Sequence, residues 1–94
     1  MLDTGLHGKK ALVTSGGVGI GLAIAKRLAD EGVDVAIANR SSYPDALVEL
    51  GERGVRVAGI QADVSKEADI VRMVEEARSE LGGLDLYVNN VAAH

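Results

Sequence analysis

Short runs rich in Val, Leu, Ile and Ala alternate along this chain with longer stretches in which apolar residues recur every three or four positions. Lys10 to Thr14, Val33 to Ala38, Val55 to Ile60 and Leu84 to Asn89 are the short runs. Their length and near-continuous apolar character predict parallel strands, buried on both faces. The stretches between them predict helices. Ile20, Ile24 and Leu28, with Ala25 and Ala29, make one apolar face of the first, which Gly32 ends. Pro44 opens the second, which runs through Leu47 and Leu50 to about Arg53, with Gly54 as its stop. Ser65 is placed to cap the third, whose face is Ile70, Val74, Ala77 and Leu81 and which ends at Gly82-Gly83. Strands and helices in alternation imply right-handed crossovers and a parallel sheet.

The turn between the first strand and the first helix carries the chemistry. It reads Ala11-Leu-Val-Thr-Ser-Gly-Gly-Val-Gly-Ile-Gly21. Small residues there let the backbone approach a pyrophosphate, while the free N–H groups and positive dipole end of the following helix attract its charge. The spacing separates phosphate binders from one another. A P-loop needs Lys and Ser/Thr after its last glycine, but Leu22 and Ala23 follow Gly21, so no lysine reaches a β- or γ-phosphate. The G-x-G-x-x-G fingerprint fails as well, because Gly19-Ile20-Gly21 is followed by Leu22, Ala23 and Ile24 where its third glycine is due. What remains is Thr14, then Gly19-Ile20-Gly21.

With that spacing the chain resembles the short-chain dehydrogenase/reductase family, whose cofactor turn is written TGxxxGxG and very often ends in Gly-Ile-Gly. Thr14 to Gly21 fits with one departure: Ser15 stands where the family has its first glycine, and Gly16 and Gly17 follow. If that position requires a positive φ, a serine costs roughly 1 to 2 kcal/mol there, and its side chain crowds the cofactor.

The resemblance continues along the chain. The second strand ends in Asn39-Arg40, where NAD-binding members commonly place a carboxylate for the ribose 2′-hydroxyl. A neutral amide beside a guanidinium suits a 2′-phosphate instead, so NADP(H) is favoured over NAD(H). Asp63-Val64 resembles the family's pair that closes over the adenine ring. Asn89-Asn90-Val91-Ala92 resembles its Asn-Asn-Ala-Gly strand end, which lines the cofactor channel; Val91 and Ala92 depart from that pattern.

The resemblance thus identifies residues 1–94 as a single dinucleotide-binding domain, the N-terminal cofactor-binding portion of a short-chain dehydrogenase/reductase. It implies a partial Rossmann (doubly wound) α/β fold, with a parallel four-stranded sheet in order 3-2-1-4 and three helices, truncated after the fourth strand. The family's catalytic serine and Tyr-x-x-x-Lys pair lie beyond this region. Tyr43 is followed four residues on by Leu47 and Tyr87 by Val91, so neither tyrosine heads such a pair. The expected activity is hydride transfer between nicotinamide and a carbonyl or alcohol, with the chain inactive by itself. Two other readings stand beside this: a binding or assembly module completed by another chain, and a methyl-donor-binding fold, since Gly17-Val18-Gly19-Ile20-Gly21 also fits a G-x-G-x-G turn. The methyl-donor fold usually wants an acidic residue where Asn39 stands.

Composition narrows the setting. At 94 residues and 47% hydrophobic, with no Phe or Trp, the chain builds one aliphatic core. The absence of Cys excludes a disulfide framework and thiolate chemistry. A net charge of −4 argues against nucleic acid or an anionic membrane as partner, so an anionic cofactor must be held by local charge. No apolar run approaches a membrane span or signal segment, and a cytoplasmic location is expected. His7 and His94 have no ligand set around them in the sequence, and no metal is assigned. In the expected order the fourth strand lies at an edge, inviting pairing with another copy of the chain.

Overall fold

Strands buried on both faces need small or branched residues that fit between helical layers, and the chain supplies them at its centre. In a computed structural model, which describes residues 5–90, the elements alternate as β1 (Lys10–Thr14), α1 (Gly19–Asp30), β2 (Asp34–Asn39), α2 (Pro44–Gly51), β3 (Val57–Gln61), α3 (Glu67–Leu81) and β4 (Leu86–Val88). The sheet is parallel in order β3-β2-β1-β4, as predicted. Leu12 of β1 pairs with Ala36 of β2 on one side and Tyr87 of β4 on the other.

Because alternate residues of a strand face opposite ways, the sheet divides the core in two. Ala11, Val13, Val35 and Ile37 pack with Ala25 and Ala29 of α1 and Ala46 and Leu50 of α2. Leu12, Ala36, Ala38 and Ile60 pack with Met73, Ala77 and Leu81 of α3. The many alanines at these contacts let helix and sheet backbones lie close, so an aliphatic core suffices. Among the described residues no helix is long and apolar enough to cross a membrane.

Three local expectations are corrected. Ile20 was expected on the buried face of α1, yet it is 73% exposed, and Gly21, Ala25 and Ala29 form the buried line. The helix enters with its Gly21 backbone pressed against the Ser15 carbonyl oxygen; that contact decides the rotation of the first turn and sends Ile20 outward. Ser65 does not cap α3. Its hydroxyl instead donates to Asp63 Oδ1 at 2.6 Å, Lys66 occupies the N-cap, and Glu67 and Asp69 place negative charge in the first turn. The last strand is shorter than its apolar run. Gly82 and Gly83 sit at φ +79° and +154° and redirect the chain, so β4 spans only Leu86–Val88.

Candidate functional site

The C-terminal ends of the strands converge on one face, and the β1–α1 turn is its centre. Ser15 leaves β1 at φ +55°, donating its N–H to the Ala38 carbonyl of β2 at 2.7 Å. Positive φ is thus required where the sequence departs from glycine. The Gly17 N–H donates to Asn39 Oδ1 at 3.2 Å, and the Tyr43 ring lies over Gly17 so closely that a Cβ there would fall 2.5 Å from it. Gly21 admits no side chain either, because a Cβ would meet the Ser15 carbonyl and the Asn90 amide. Gly19 differs from both. Its φ is +54° and nothing lies within 4 Å of where a Cβ would project, so open space stands at the mouth of α1.

That mouth is electrostatically primed. Among the described residues the N–H groups of Gly19, Ile20 and Gly21 find no acceptor, and the N-cap Val18 offers no side-chain bond. Free donors at the positive end of a helix attract an anion. Beside them lies an open cleft of about 520 Å³ bounded by Ser15, Val18, Asn39, Arg40, Ser41 and Tyr43. Arg40 is exposed and forms no salt bridge among the described residues, though its charge helps to lower the Asp63 pKa. It also borders a neighbouring cleft of about 280 Å³, with Gln61, Ala62, Asp63 and Asp69. The Ser65 hydroxyl and N–H hold the Asp63 carboxyl below its ordinary range, and the Asp63 N–H is fixed by Asp69 Oδ2 at 2.8 Å. Val64 packs toward the α3 core. A third hollow, about 160 Å³ between α2 and the sheet, has no charged group in its lining.

Thr14 plays a different part from its neighbours. It is 1% exposed, accepts the Asn90 N–H at 2.8 Å and shares its own proton between Val88 O at 3.3 Å and Asn89 Oδ1 at 3.4 Å. It therefore clasps the ends of β1 and β4. The turn residues from Thr14 to Gly21, with Asn39, Arg40, Asp63, Val64 and Asn90, all gather at this end of the sheet; Ala92 lies outside the described residues. Ser41 and Tyr43 line the cleft without having been singled out for it. Their only sequence signal is position, in the loop between Arg40 and the helix-opening Pro44. Among the described residues no three His, Cys, Asp or Glu groups gather as a metal site.

The chain matches the short chain dehydrogenase family over residues 9–94. A short-chain dehydrogenase/reductase of Armillaria gallica is 45% identical over an 88-residue alignment that covers 89% of this chain and 34% of that protein. A D-beta-hydroxybutyrate dehydrogenase of Cupriavidus necator is 42% identical over 87 residues, 90% of this chain and 34% of that one. Among solved structures, L-sorbose reductase from Gluconobacter frateurii, in complex with NADPH and L-sorbose, superposes with a TM-score of 0.91 at 38% identity. The match covers 98% of this chain and 36% of that one. A short-chain type dehydrogenase/reductase from Mycobacterium marinum gives 0.88 at 33% identity, over 94% of this chain and 36% of that one. The chain thus spans about a third of the length of the curated relatives it matches. Its glycine turn, strand order and matched sequence agree, and the chain belongs to the short-chain dehydrogenase/reductase family of oxidoreductases, which bind a nicotinamide dinucleotide.

Proposed function

We propose that residues 1–94 form one domain, the NADP(H)-binding portion of a short-chain oxidoreductase that transfers hydride between nicotinamide and a carbonyl or alcohol. The observation that carries this reading is the mouth of α1, where three N–H groups without an acceptor among the described residues and the open space at Gly19 lie beside a cleft bordered by Arg40. The residues present fit the cofactor. Gly19, Ile20 and Gly21 receive the pyrophosphate on their N–H groups, and Thr14, Gly16 and Gly17 fix the shape of the turn. Asp63 and Val64 would border the adenine, and Asn90 would line the channel beyond it.

Arg40 selects the phosphorylated form. The Asn39 side-chain oxygen Oδ1 already accepts from the Gly17 N–H, so that oxygen is committed to the turn, and the guanidinium remains to meet a 2′-phosphate. The lack of a carboxylate at Asn39 also favours a dinucleotide over a methyl donor. The bound nicotinamide would supply the hydride donor or acceptor. Residues of this chain bind and orient it; with Leu47 and Val91 four places after its tyrosines, the chain by itself turns nothing over. The outer edge of β4, with Tyr87 47% exposed, supports pairing with a second copy.

Calorimetric titration of the full chain with NADPH and NADH, with sedimentation of the same preparation, tests the reading. NADPH is expected to bind at least about tenfold tighter, in line with a charge-assisted contact, and Arg40→Gln to erase that margin while sparing NADH. Equal binding of the two would remove the NADP(H) preference. Binding of neither would refute the function.

A further inference from the structure

Ser15 is the one non-glycine residue at positive φ among the described residues. A Cβ disfavours that region, and a glycine would occupy it without strain. The conformation is imposed from several sides. The Ser15 N–H is held by Ala38 O at 2.7 Å, its carbonyl oxygen abuts Gly21, and Gly16 beside it is wedged over Ile37 with no room for a side chain. Strain kept in place by its surroundings points to a use for the side chain that causes it.

Glycine differs from serine here by one hydroxymethyl group, and that group borders the open cleft beside Arg40 and Ser41. The Ser15 hydroxyl has no hydrogen-bond partner among the described residues. Asn39, its polar neighbour, has its side-chain oxygen committed to Gly17. The Ser15 hydroxyl and the Arg40 guanidinium, whose charge also acts on Asp63 but which forms no salt bridge among the described residues, thus border the same cleft, whose volume of about 520 Å³ leaves room for a phosphate rather than a clash.

We infer that Ser15 is a specificity-determining residue: its hydroxyl donates, together with the Arg40 guanidinium, to the phosphomonoester on the adenosine ribose. This rests on the dinucleotide-binding reading above and assigns the departure from glycine a purpose. A hydrogen bond from the hydroxyl to a charged phosphate oxygen is stronger than one to a neutral ribose hydroxyl.

Two substitutions separate contact from strain. Ser15→Gly removes the hydroxyl and relaxes the backbone; Ser15→Ala removes the hydroxyl but keeps a Cβ at positive φ. The full chain and both variants are titrated with adenosine 2′,5′-bisphosphate and with 5′-AMP, and their thermal unfolding is followed in parallel. Both variants are expected to lose roughly tenfold in affinity for the bisphosphate, with 5′-AMP unchanged. S15G is expected to melt several degrees higher, roughly 4 to 8 °C, and S15A close to the parent. If either variant keeps the parent's preference for the bisphosphate, or if S15G binds both ligands equally better, the inference is overturned and Ser15 is strain alone. If the parent binds neither adenosine phosphate, the dinucleotide reading falls and takes this one with it.

Discussion

At the N-terminal ends of the strands, Lys10, Asp34 and Asp85 hold one another. Lys10 Nζ lies 2.9 Å from Asp34 Oδ2, the other Asp34 oxygen accepts the Arg56 N–H at 2.9 Å, and Asp85 accepts the Lys10 N–H at 2.9 Å while returning its own to Lys10 O at 2.8 Å. At the C-terminal ends of the same strands, donors stand open. Among the described residues the N–H groups of Gly19, Ile20 and Gly21 have no acceptor, Arg40 forms no salt bridge, and Ser15 is held at positive φ. Groups committed to one another stabilise the fold and leave nothing for a ligand. Groups held in place without partners weaken the fold slightly and are available at once to an anion, which is how binding and stability come to occupy opposite ends of one sheet.

The largest effect should come from closing the open end. Gly21→Ala places a methyl against the Ser15 carbonyl and the Asn90 amide, and the first of these is backbone that cannot swing away. Overpacking of this kind costs about 1 to 3 kcal/mol. Denaturant unfolding should register that loss, and NADPH titration should find binding abolished because the mouth of α1 has moved. A G21A chain with the parent's stability and affinity would show that close approach does not build this end.

The same contact explains what could and could not be read from the sequence. The strands and the turn were readable because Val/Ala runs and a glycine cluster act locally, while the strand order followed from the resemblance: β1 has its predicted bounds, Lys10–Thr14, and Ser15 has the positive φ that was weighed as a condition at that position. Ile20 misled because periodicity weighs side chains, whereas the backbone contact at Gly21 fixed how α1 sits. Asn39 and Tyr43 were opaque for another reason. Each acts on Gly17 across more than twenty residues of chain, and no local pattern encodes which turn a side chain will meet. Ser65 had a capping sequence, but it lies one residue before the N-cap and its hydroxyl is turned to donate to Asp63 rather than to accept from the helix.

Thr14→Val sharpens the comparison with a residue that sits at the open end yet is fully committed. The substitution keeps the shape and removes the acceptor of the Asn90 N–H, leaving that donor without its protein partner. The expected loss is about 1 to 2 kcal/mol, seen in denaturant unfolding and as faster hydrogen exchange at Asn90. NADPH affinity should fall far less than in G21A, since the α1 donors are untouched. A collapse of binding with stability intact would instead make Thr14 part of the ligand contact.

The smallest effect belongs to the closed end, and it depends on pH. Burial raises the Asp34 pKa, but the Arg56 N–H and the Lys10 ammonium outweigh it and hold the carboxyl below its ordinary 3.8. A folded-state pKa below the unfolded value stabilises the fold above pH 3.8, and the contribution is lost as pH falls through the lower folded value. Asp34→Asn should therefore lower stability by about 0.5 to 1 kcal/mol at neutral pH, the range for a partly exposed pair. In thermal unfolding across a pH series, the gap between variant and parent should narrow as the solution is acidified below 3.8. NADPH affinity at neutral pH should not change, because the α1 mouth and Arg40 lie at the other end of the strands. Weakened binding in D34N, with its unfolding midpoint unmoved, would mean that the two ends are coupled through β1 and β2 and that their division of labour is incomplete.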